Sequence, residues 1–513
     1  MDKQPALQLR GITKQFGKKV LANDDVDLDV YQGEILAILG ENGSGKTTLM
    51  NMVAGIYFPD KGKIFVDGKE TVIRSPKDAF DHRIGMIHQH FKLVDLFSAA
   101  DNIVLGIKEE KRYNPKETAE KVRQIADRYG FRIDPNKKVY DMSVSEKQTA
   151  EIIKVLYRGA DILILDEPTA VLTPQEITHL FDVIRRMKED GKSVIIITHK
   201  LNEVMEVSDR VAILRKGRHI ATVNTAETTE AELTEMMVGK KINLNINRSD
   251  PVNVTPRLEV SGLNLYNKDG IHVLKDISFT ANSGEILGIA GIAGSGQREL
   301  LESIAGLLPA ESGTIFYTGE ERVDLRNKNP QEIRQMGVLM SFVPEDRLGM
   351  GLVGNMNITD NMMLRTYRKG HFGFLDRKEP RGQATKIVRE LEVVTPSLAT
   401  PVRRLSGGNV QKVLVGREIA NNPSVLMTAY PVRGLDINSS YTIYNLMNRE
   451  KQNGVAVIFV GEDLDVLLAL CDRIMVINSG TVTGIVDARM ATKEEVGLLM
   501  TKSTAREGKE ETA

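Results

Sequence analysis

The sequence predicts an α/β fold built twice in tandem, each copy a largely parallel sheet flanked by helices. Three observations predict it. Short apolar runs at 34–39, 161–165, 193–197 and 210–214 alternate with helical patterns, as expected of strands joined by helical crossovers. A glycine-rich turn, 40–48 (GENGSGKTT), joins the first of these strands to a helix. The segment 33–40 (GEILAILG) returns as 284–291 (GEILGIAG), 251 residues later, so the chain is a duplication.

The first element to justify is the duplication itself. A chain of 513 residues exceeds what one hydrophobic core supports. We expect domains at 1–240 and 258–501, joined by a polar, Asn-rich linker at 241–257 that carries two prolines. The stretch 208–214 recurs at 471–477 with an offset of 263, so the second copy has gained a net 12 residues before that point. The tail, 502–513, is charged and poor in apolar residues and is expected to be disordered. A net charge of -1 with Lys and Arg spread along the chain argues against nucleic acid as a partner. The single cysteine, Cys471, rules out an intramolecular disulfide and sits in a predicted helix-to-strand junction, which fits a reducing cytosol. No run approaches the roughly 18 apolar residues that span a bilayer, and the N-terminal segment has no signal-peptide core.

The turn after the first strand has the chemistry of a phosphate cradle. Gly40, Gly43 and Gly45 let the backbone bend so that N–H groups of Glu41, Asn42, Ser44 and their neighbours face a nucleotide's phosphates at the positive end of a helix. Lys46 supplies a charge for the β- and γ-phosphates, the Thr47 hydroxyl is placed to hold Mg2+, and Thr48 continues the helix. The apolar strand before Pro168 delivers two carboxylates to its end. Asp166 would hold the magnesium, and Glu167 would polarise the attacking water. At the end of the next strand His199 could contact the γ-phosphate and that water.

With these motifs the chain resembles an ATP-binding cassette (ABC) ATPase with two cassettes fused in one polypeptide. The resemblance covers all but linker and tail, and implies tandem P-loop NTPase domains, each a RecA-like core with a helical subdomain. The amphipathic segment 116–129 would belong to that subdomain. It further implies that Phe16 stacks on adenine, and that Gln89 in IHQHF touches magnesium and water and connects to a membrane permease. In such proteins two cassettes pair head to tail, each ATP lying between the phosphate loop of one and the signature segment of the other.

The two copies differ in chemistry. The second loop (GIAGSGQR) keeps Gly291, Gly294 and Gly296, but Gln297 replaces the lysine and Arg298 the metal-binding threonine. Ala429 and Tyr430 stand where Asp166 and Glu167 stood, Glu462 takes the histidine position and Glu345 the glutamine position, adding negative charge beside a site without its lysine. The signature segments are asymmetric in the opposite sense. Ser406, Gly407, Gly408 and Asn409 form an intact LSGGN before a helix, whereas the first copy has Met142-Ser143-Val144-Ser145-Glu146. Asp436 in the second copy corresponds to Thr173 in the first. Head-to-tail pairing would therefore assemble one hydrolytic site and one degenerate site, with ATP and Mg2+ as cofactors.

The segments 84–94, 156–176, 343–353 and 405–412 narrow the resemblance to the double-cassette ATPases of bacterial simple-sugar and nucleoside importers, the nucleoside branch most of all. Ser145, Lys147 and Tyr430 depart from the family pattern. The resemblance implies a peripheral ATPase on the cytoplasmic side of the membrane, two transmembrane permease subunits, an extracytoplasmic solute-binding protein, and uptake of a nucleoside. The alternatives are a ribose- or galactose-type importer, a soluble ABC ATPase of translation or DNA repair, and a nucleotide-gated binding module with negligible turnover. Repair and translation proteins of this kind typically keep both sites competent and carry long charged linkers or zinc-binding cysteines, which this chain lacks.

Overall fold

The computed structural model describes residues 4–17, 20–89, 91–107, 114–170, 172–240, 245–251, 253–364, 366–367 and 375–502. The tail expected at 502–513 lies outside them apart from Lys502, as do 241–244 and 252 of the expected linker. Contacts divide the chain into two compact units, Met1–Asn243 and Leu244–Ala513.

Unit 1 contains two sheets. Strands β1 (Pro5–Phe16), β2 (Val20–Tyr31), β4 (Lys61–Val66) and β5 (Lys69–Thr71) pair antiparallel in the order β2-β1-β4-β5. The sequence reading did not name this sheet. Its cause is a period-two alternation in β2, where Val26, Leu28 and Val30 are buried between Asp25, Asp27 and Asp29. The second sheet, ordered β10-β9-β3-β8-β7-β6, uses β3 (Ile35–Leu39), β6 (Ile84–Ile87), β7 (Ile162–Asp166), β8 (Ser193–Thr198), β9 (Arg210–Arg215) and β10 (Arg218–Asn224). All its pairs are parallel except β9 with β10. Strands β3, β7 and β8 are buried along their whole length, because both faces of a parallel sheet are covered and no position can be polar without cost. One face packs on the antiparallel sheet and helix Lys46–Val53 through Leu49, Met50, Met52 and Val53. The other packs on helices through Phe181, Ile184 and Met187 of Pro174–Glu189.

Between β6 and β7 lie helices Ala99–Val104, Pro115–Tyr129 and Val144–Tyr157. The middle one begins at Pro115 behind the Asn114 cap and ends on Gly130 in the left-handed region. It buries Val122, Ala126 and Tyr129, the apolar stripe of the predicted amphipathic helix.

Unit 2 repeats this plan. Strands β11 (Pro256–Tyr266), β12 (His272–Asn282), β14 (Ser312–Thr318) and β15 (Arg322–Asp324) form the antiparallel sheet. The other sheet is ordered β16-β17-β18-β13-β19-β20, from β13 (Ile286–Ala290), β16 (Met340–Val343), β17 (Val425–Ala429), β18 (Ala456–Val460), β19 (Arg473–Asn478) and β20 (Thr481–Asp487). Part of its extra length sits after β16. Val94 follows Gln89 by five positions, but Val353 follows Glu345 by eight, and a π-helical turn at Arg347–Gly351 absorbs the difference.

Part of the expected linker packs on unit 2. Asn247 and Ser249 hydrogen-bond Asn448, and the Ser249 carbonyl accepts from Lys451 Nζ. That ammonium also pairs with Asp472 at 2.8 Å, whose other oxygen accepts from the Ile286 N–H. Unit 1 has the same device in Lys188, Asp209 and Ile35, but the Lys188 side chain is 36% exposed where Lys451 is 1% exposed. Burial makes the two pairs unequal. Lys451→Met, which leaves the Asp472 charge only the Ile286 N–H and Arg489 at 4.0 Å, should lower the unfolding free energy of unit 2 by about 3 kcal/mol. Lys188→Met should cost unit 1 about 1 kcal/mol or less. Denaturant unfolding followed by a probe in each unit checks the difference.

Candidate active site

The parallel order of unit 1 brings four strand ends into line. Strand β3 feeds the glycine-rich loop, β8 ends at His199, β7 ends at Asp166 and Glu167, and the edge strand β6 runs out to Gln89. The carboxyl ends of such strands are where open α/β sheets gather their ligands.

The loop closes on itself. Lys46 is 6% exposed, and its ammonium donates to the carbonyls of Gly40 at 2.6 Å and Glu41 at 3.1 Å. Gly45 has φ +98°, and a Cβ there would lie 2.4 Å from the Ala22 carbonyl of β2. Asn42 and Gly43 form an exposed rim, while the Ser44 hydroxyl is buried with no partner. An orphan hydroxyl and a carbonyl-clamped ammonium inside a ring of backbone N–H groups fit a phosphate chain. Helix Lys46–Val53 starts here without a side-chain cap.

The acids are joined to the loop and to one another. Thr47 Oγ1 donates to Asp166 Oδ1 at 3.2 Å. Glu167 accepts from Gln89 Nε2 at 2.9 Å on one oxygen and from His199 Nδ1 at 3.0 Å on the other. Its backbone has φ +48°, a left-handed conformation that costs about 1 kcal/mol in a residue with a side chain. The Glu167 N–H bonds the Ile197 carbonyl at 2.9 Å, which fixes the turn that aims the carboxylate. Desolvation pushes the Asp166 carboxyl up to about 6, opposed by the Thr47 hydrogen bond. The His199 hydrogen bond holds Glu167 below its usual range, so it stays ionised. Burial lowers the Lys46 ammonium, and the neighbouring Glu167, Asp166 and Glu41 restrain that shift.

Among the described residues no cluster of three or more His, Cys, Asp or Glu could cage a metal. The Thr47 hydroxyl beside the Asp166 carboxylate instead fits Mg2+, which takes one or two protein oxygens and fills its shell with phosphate and water. Phe16, at the end of β1, is 38% exposed and meets Tyr57 edge to face at 5.2 Å.

Unit 2 keeps the cradle and changes what lines it. Gln297 is 2% exposed, and its amide donates to the Ile292 carbonyl at 3.1 Å, the bond that Lys46 makes to Glu41, now without charge. A Cβ on Gly291 would lie 2.4 Å from the Ile477 carbonyl, and Gly294 and Gly296 have positive φ as Gly43 and Gly45 do. Arg298 turns along its own helix to Glu302, 2.6 Å away. Ala429 is buried, and Tyr430 repeats the strained backbone of Glu167 with φ +49°. Burial, with Glu462 and Glu345 nearby, pushes its phenol up to about 12, so it stays neutral and is no base. The negative charge expected of Glu345 and Glu462 is partly balanced. Arg433 bonds Glu345 and also reaches Glu462 at 3.1 Å, so one guanidinium bridges the two acids.

The signature segments also differ in how their helices start. In unit 1 Ser143 and Glu146 cap each other's backbone N–H groups, and Lys137 binds Glu146, so the N-terminus of Val144–Tyr157 is filled from within. In unit 2 no side chain caps Gly407–Ile419. Ser406 Oγ accepts from the Asn409 amide at 2.8 Å, and Gly408 lies so close to Asp436 and Ser439 that a Cβ would meet them at 3.1–3.2 Å. The Asp436 carboxylate is engaged with the N–H and hydroxyl of Ser439. Ser143 and Glu146 have the S-x-x-E spacing of a capping box. Three residues of this geometry escaped the sequence reading. Asn23, fully buried, braces Gly45 through its carbonyl, Arg433 bridges the acids, and Tyr266 ends β11 as Phe16 ends β1.

The family model for ABC transporters matches residues 23–170 and again 274–429. The chain is 41% identical to the Nucleoside import ATP-binding protein NupA of Lactococcus lactis, covering 98% of this chain and 99% of that one. It is 42% identical to the Guanosine import ATP-binding protein NupO of Bacillus subtilis, covering 98% of each. It is 38% identical to a glucose import ATP-binding protein of Haloferax volcanii, covering 98% of this chain and 96% of that one.

The raised Asp166 has a consequence for stability. Its folded pKa lies above the unfolded value, so the folded protein binds the extra proton, and stability falls as pH rises through about 6. Asp166→Asn should therefore stabilise metal-free protein at pH 8 by about 1–3 kcal/mol, with the gain vanishing near pH 4. Thermal unfolding in chelator at both pH values checks the sign.

Proposed function

The chain belongs to the ABC transporter family, and from that premise we propose that it is the ATP-hydrolysing subunit of an importer, with a nucleoside as the imported solute. The carrying observation is the pairing of Thr47 with Asp166 and of Glu167 with Gln89 and His199 in unit 1, which unit 2 lacks. Full-length similarity to two nucleoside importers supports the solute class.

In this proposal the loop N–H groups and Lys46 bind the β- and γ-phosphates, while Phe16 offers a face to the adenine. Thr47 and Asp166 hold Mg2+, which when bound draws charge from the phosphates. Glu167 accepts a proton from the water that attacks the γ-phosphorus, and Gln89 and His199 hold its carboxylate on that line. The unplugged helix start at Ser406, Gly407, Gly408 and Asn409, with Asp436 beneath it, supplies the second set of phosphate contacts in a head-to-tail arrangement of the cassettes. Two permease subunits and an extracytoplasmic binding protein complete the importer, with this chain peripheral on the cytoplasmic face. Among the described residues no helix is long and apolar enough to cross a membrane.

Lys46→Ala and Glu167→Gln should each lower ATP turnover by about 100-fold or more, the scale of a lost phosphate contact or positioned base. Gln297→Ala should leave turnover within about twofold, since its amide carries no charge to the phosphates. Phosphate release by the full chain measures all three, and equal losses would sink the asymmetry. Affinity purification from detergent-solubilised membranes should recover a multi-span permease; recovery with ribosomes instead would overturn the transport assignment.

A further inference from the structure

Strand pairing alone does not hold the Glu167 and His199 side chains together. The register of β7 with β8 stops at Asp166 opposite Ile197, and the His199 side chain is 45% exposed, so packing does not fix the ring. Its place on the Glu167 carboxylate is set by the backbone on either side.

That backbone is tied from behind by one buried carboxylate. Glu203, on the helix Leu201–Val207 that follows β8, is 4% exposed. The Thr169 hydroxyl, two residues past Glu167, donates to one of its oxygens, and the Thr198 hydroxyl, one residue before His199, donates to the other at 3.1 Å. Thr198 also accepts from the Lys200 N–H at 3.1 Å, which closes the turn that carries His199. The Lys200 ammonium lies 3.0 Å from Glu203 and 3.4 Å from the Thr169 hydroxyl, so the buried carboxylate has a charge partner. Both threonines are buried as well, and a buried network with its members paired is stiff.

Unit 2 shows that the fold does not need this network. By the offset of 263, Val432, Gly461, Asp463 and Val466 stand at the positions of Thr169, Thr198, Lys200 and Glu203. Val432 and Val466 pack on the apolar core of unit 2. The strand-end turn still forms there, with the Tyr430 N–H donating to the Val460 carbonyl as Glu167 does to Ile197. Apolar side chains at these places avoid the cost of burying a charge. The network therefore accompanies the acid and the imidazole, both of which unit 2 lacks, and not the fold.

We propose that Glu203 is a positioning residue for hydrolysis: its hydrogen bonds to Thr169 and Thr198 fix the Glu167 carboxylate and the His199 ring at the separation that the attacking water requires. This rests on the roles proposed above for Glu167 and His199.

Steady-state phosphate release and thermal unfolding of three full-chain variants test it. Glu203→Val should lower kcat about tenfold or more, the scale of a misplacement near 1 Å, with the KM for ATP within about twofold, because the loop of Lys46 and Thr47 lies outside this group of bonds. It should also lower the Tm, since two buried hydroxyls lose their acceptor. Thr169→Val, Thr198→Val and Glu203→Val together remove the stranded hydroxyls and should return the Tm toward wild type while kcat stays low. Glu203→Gln, whose amide can still bond both hydroxyls, should recover turnover to within about threefold of wild type. Wild-type kcat in the triple variant, a loss carried by KM instead of kcat, or Glu203→Gln as slow as Glu203→Val would each overturn the proposal. Should Glu203→Val fail to fold, the triple and Glu203→Gln variants decide. If Lys46→Ala and Glu167→Gln abolish turnover while the triple variant keeps it, only the role of Glu203 fails; if those two leave turnover intact, the reading of the site itself fails.

Discussion

Parallel register is the constraint on which everything else in unit 1 depends. Pairing of β3 with β8, β8 with β7 and β7 with β6 sets four strand ends side by side, so groups 32 to 119 residues apart in the chain meet within hydrogen-bond distance. A parallel sheet with both faces covered accepts only apolar residues along its strands, which is why the polar chemistry is expelled to their ends. Thr47 reaching Asp166, and Glu167 held between Gln89 and His199, are direct products of that expulsion.

The same register exists in unit 2, and the chemistry at its ends has been exchanged without changing the backbone. Tyr430 keeps the left-handed conformation of Glu167, and Gln297 keeps the loop bond of Lys46. What changed is charge: the loop lost an ammonium, the strand end lost two carboxylates, and Arg433 arrived to bridge Glu345 and Glu462. The helix starts vary in the opposite sense, plugged by Ser143 and Glu146 in unit 1 and uncapped by any side chain at Ser406 in unit 2. The scaffold is the same in both units and the charges it carries differ.

Much of the site was legible in the sequence because its parts are short contiguous strings at element junctions. A strand, a glycine turn and a lysine follow one another in 35–46, and two acids close an apolar run in 162–167. The antiparallel sheet of unit 1 went unnamed despite the alternation of Asp and apolar residues at 25–30, because short-range alternation competes with the stronger motif beside it. Bridges such as Arg433 to Glu345, 88 residues apart, leave no local trace. Nor does the burial of Lys451 under Ser249, although the equivalent Lys188 stays partly open.

By itself the sequence determined the duplication, the α/β class and the phosphate loop, because these depend on residue type and near-neighbour order. Only the tertiary structure decided which charges neutralise one another, which acid is pushed up toward neutrality and which helix start is plugged. Electrostatic and hydrogen-bond energies depend on distance and burial in space, and neither is a property of position along a chain.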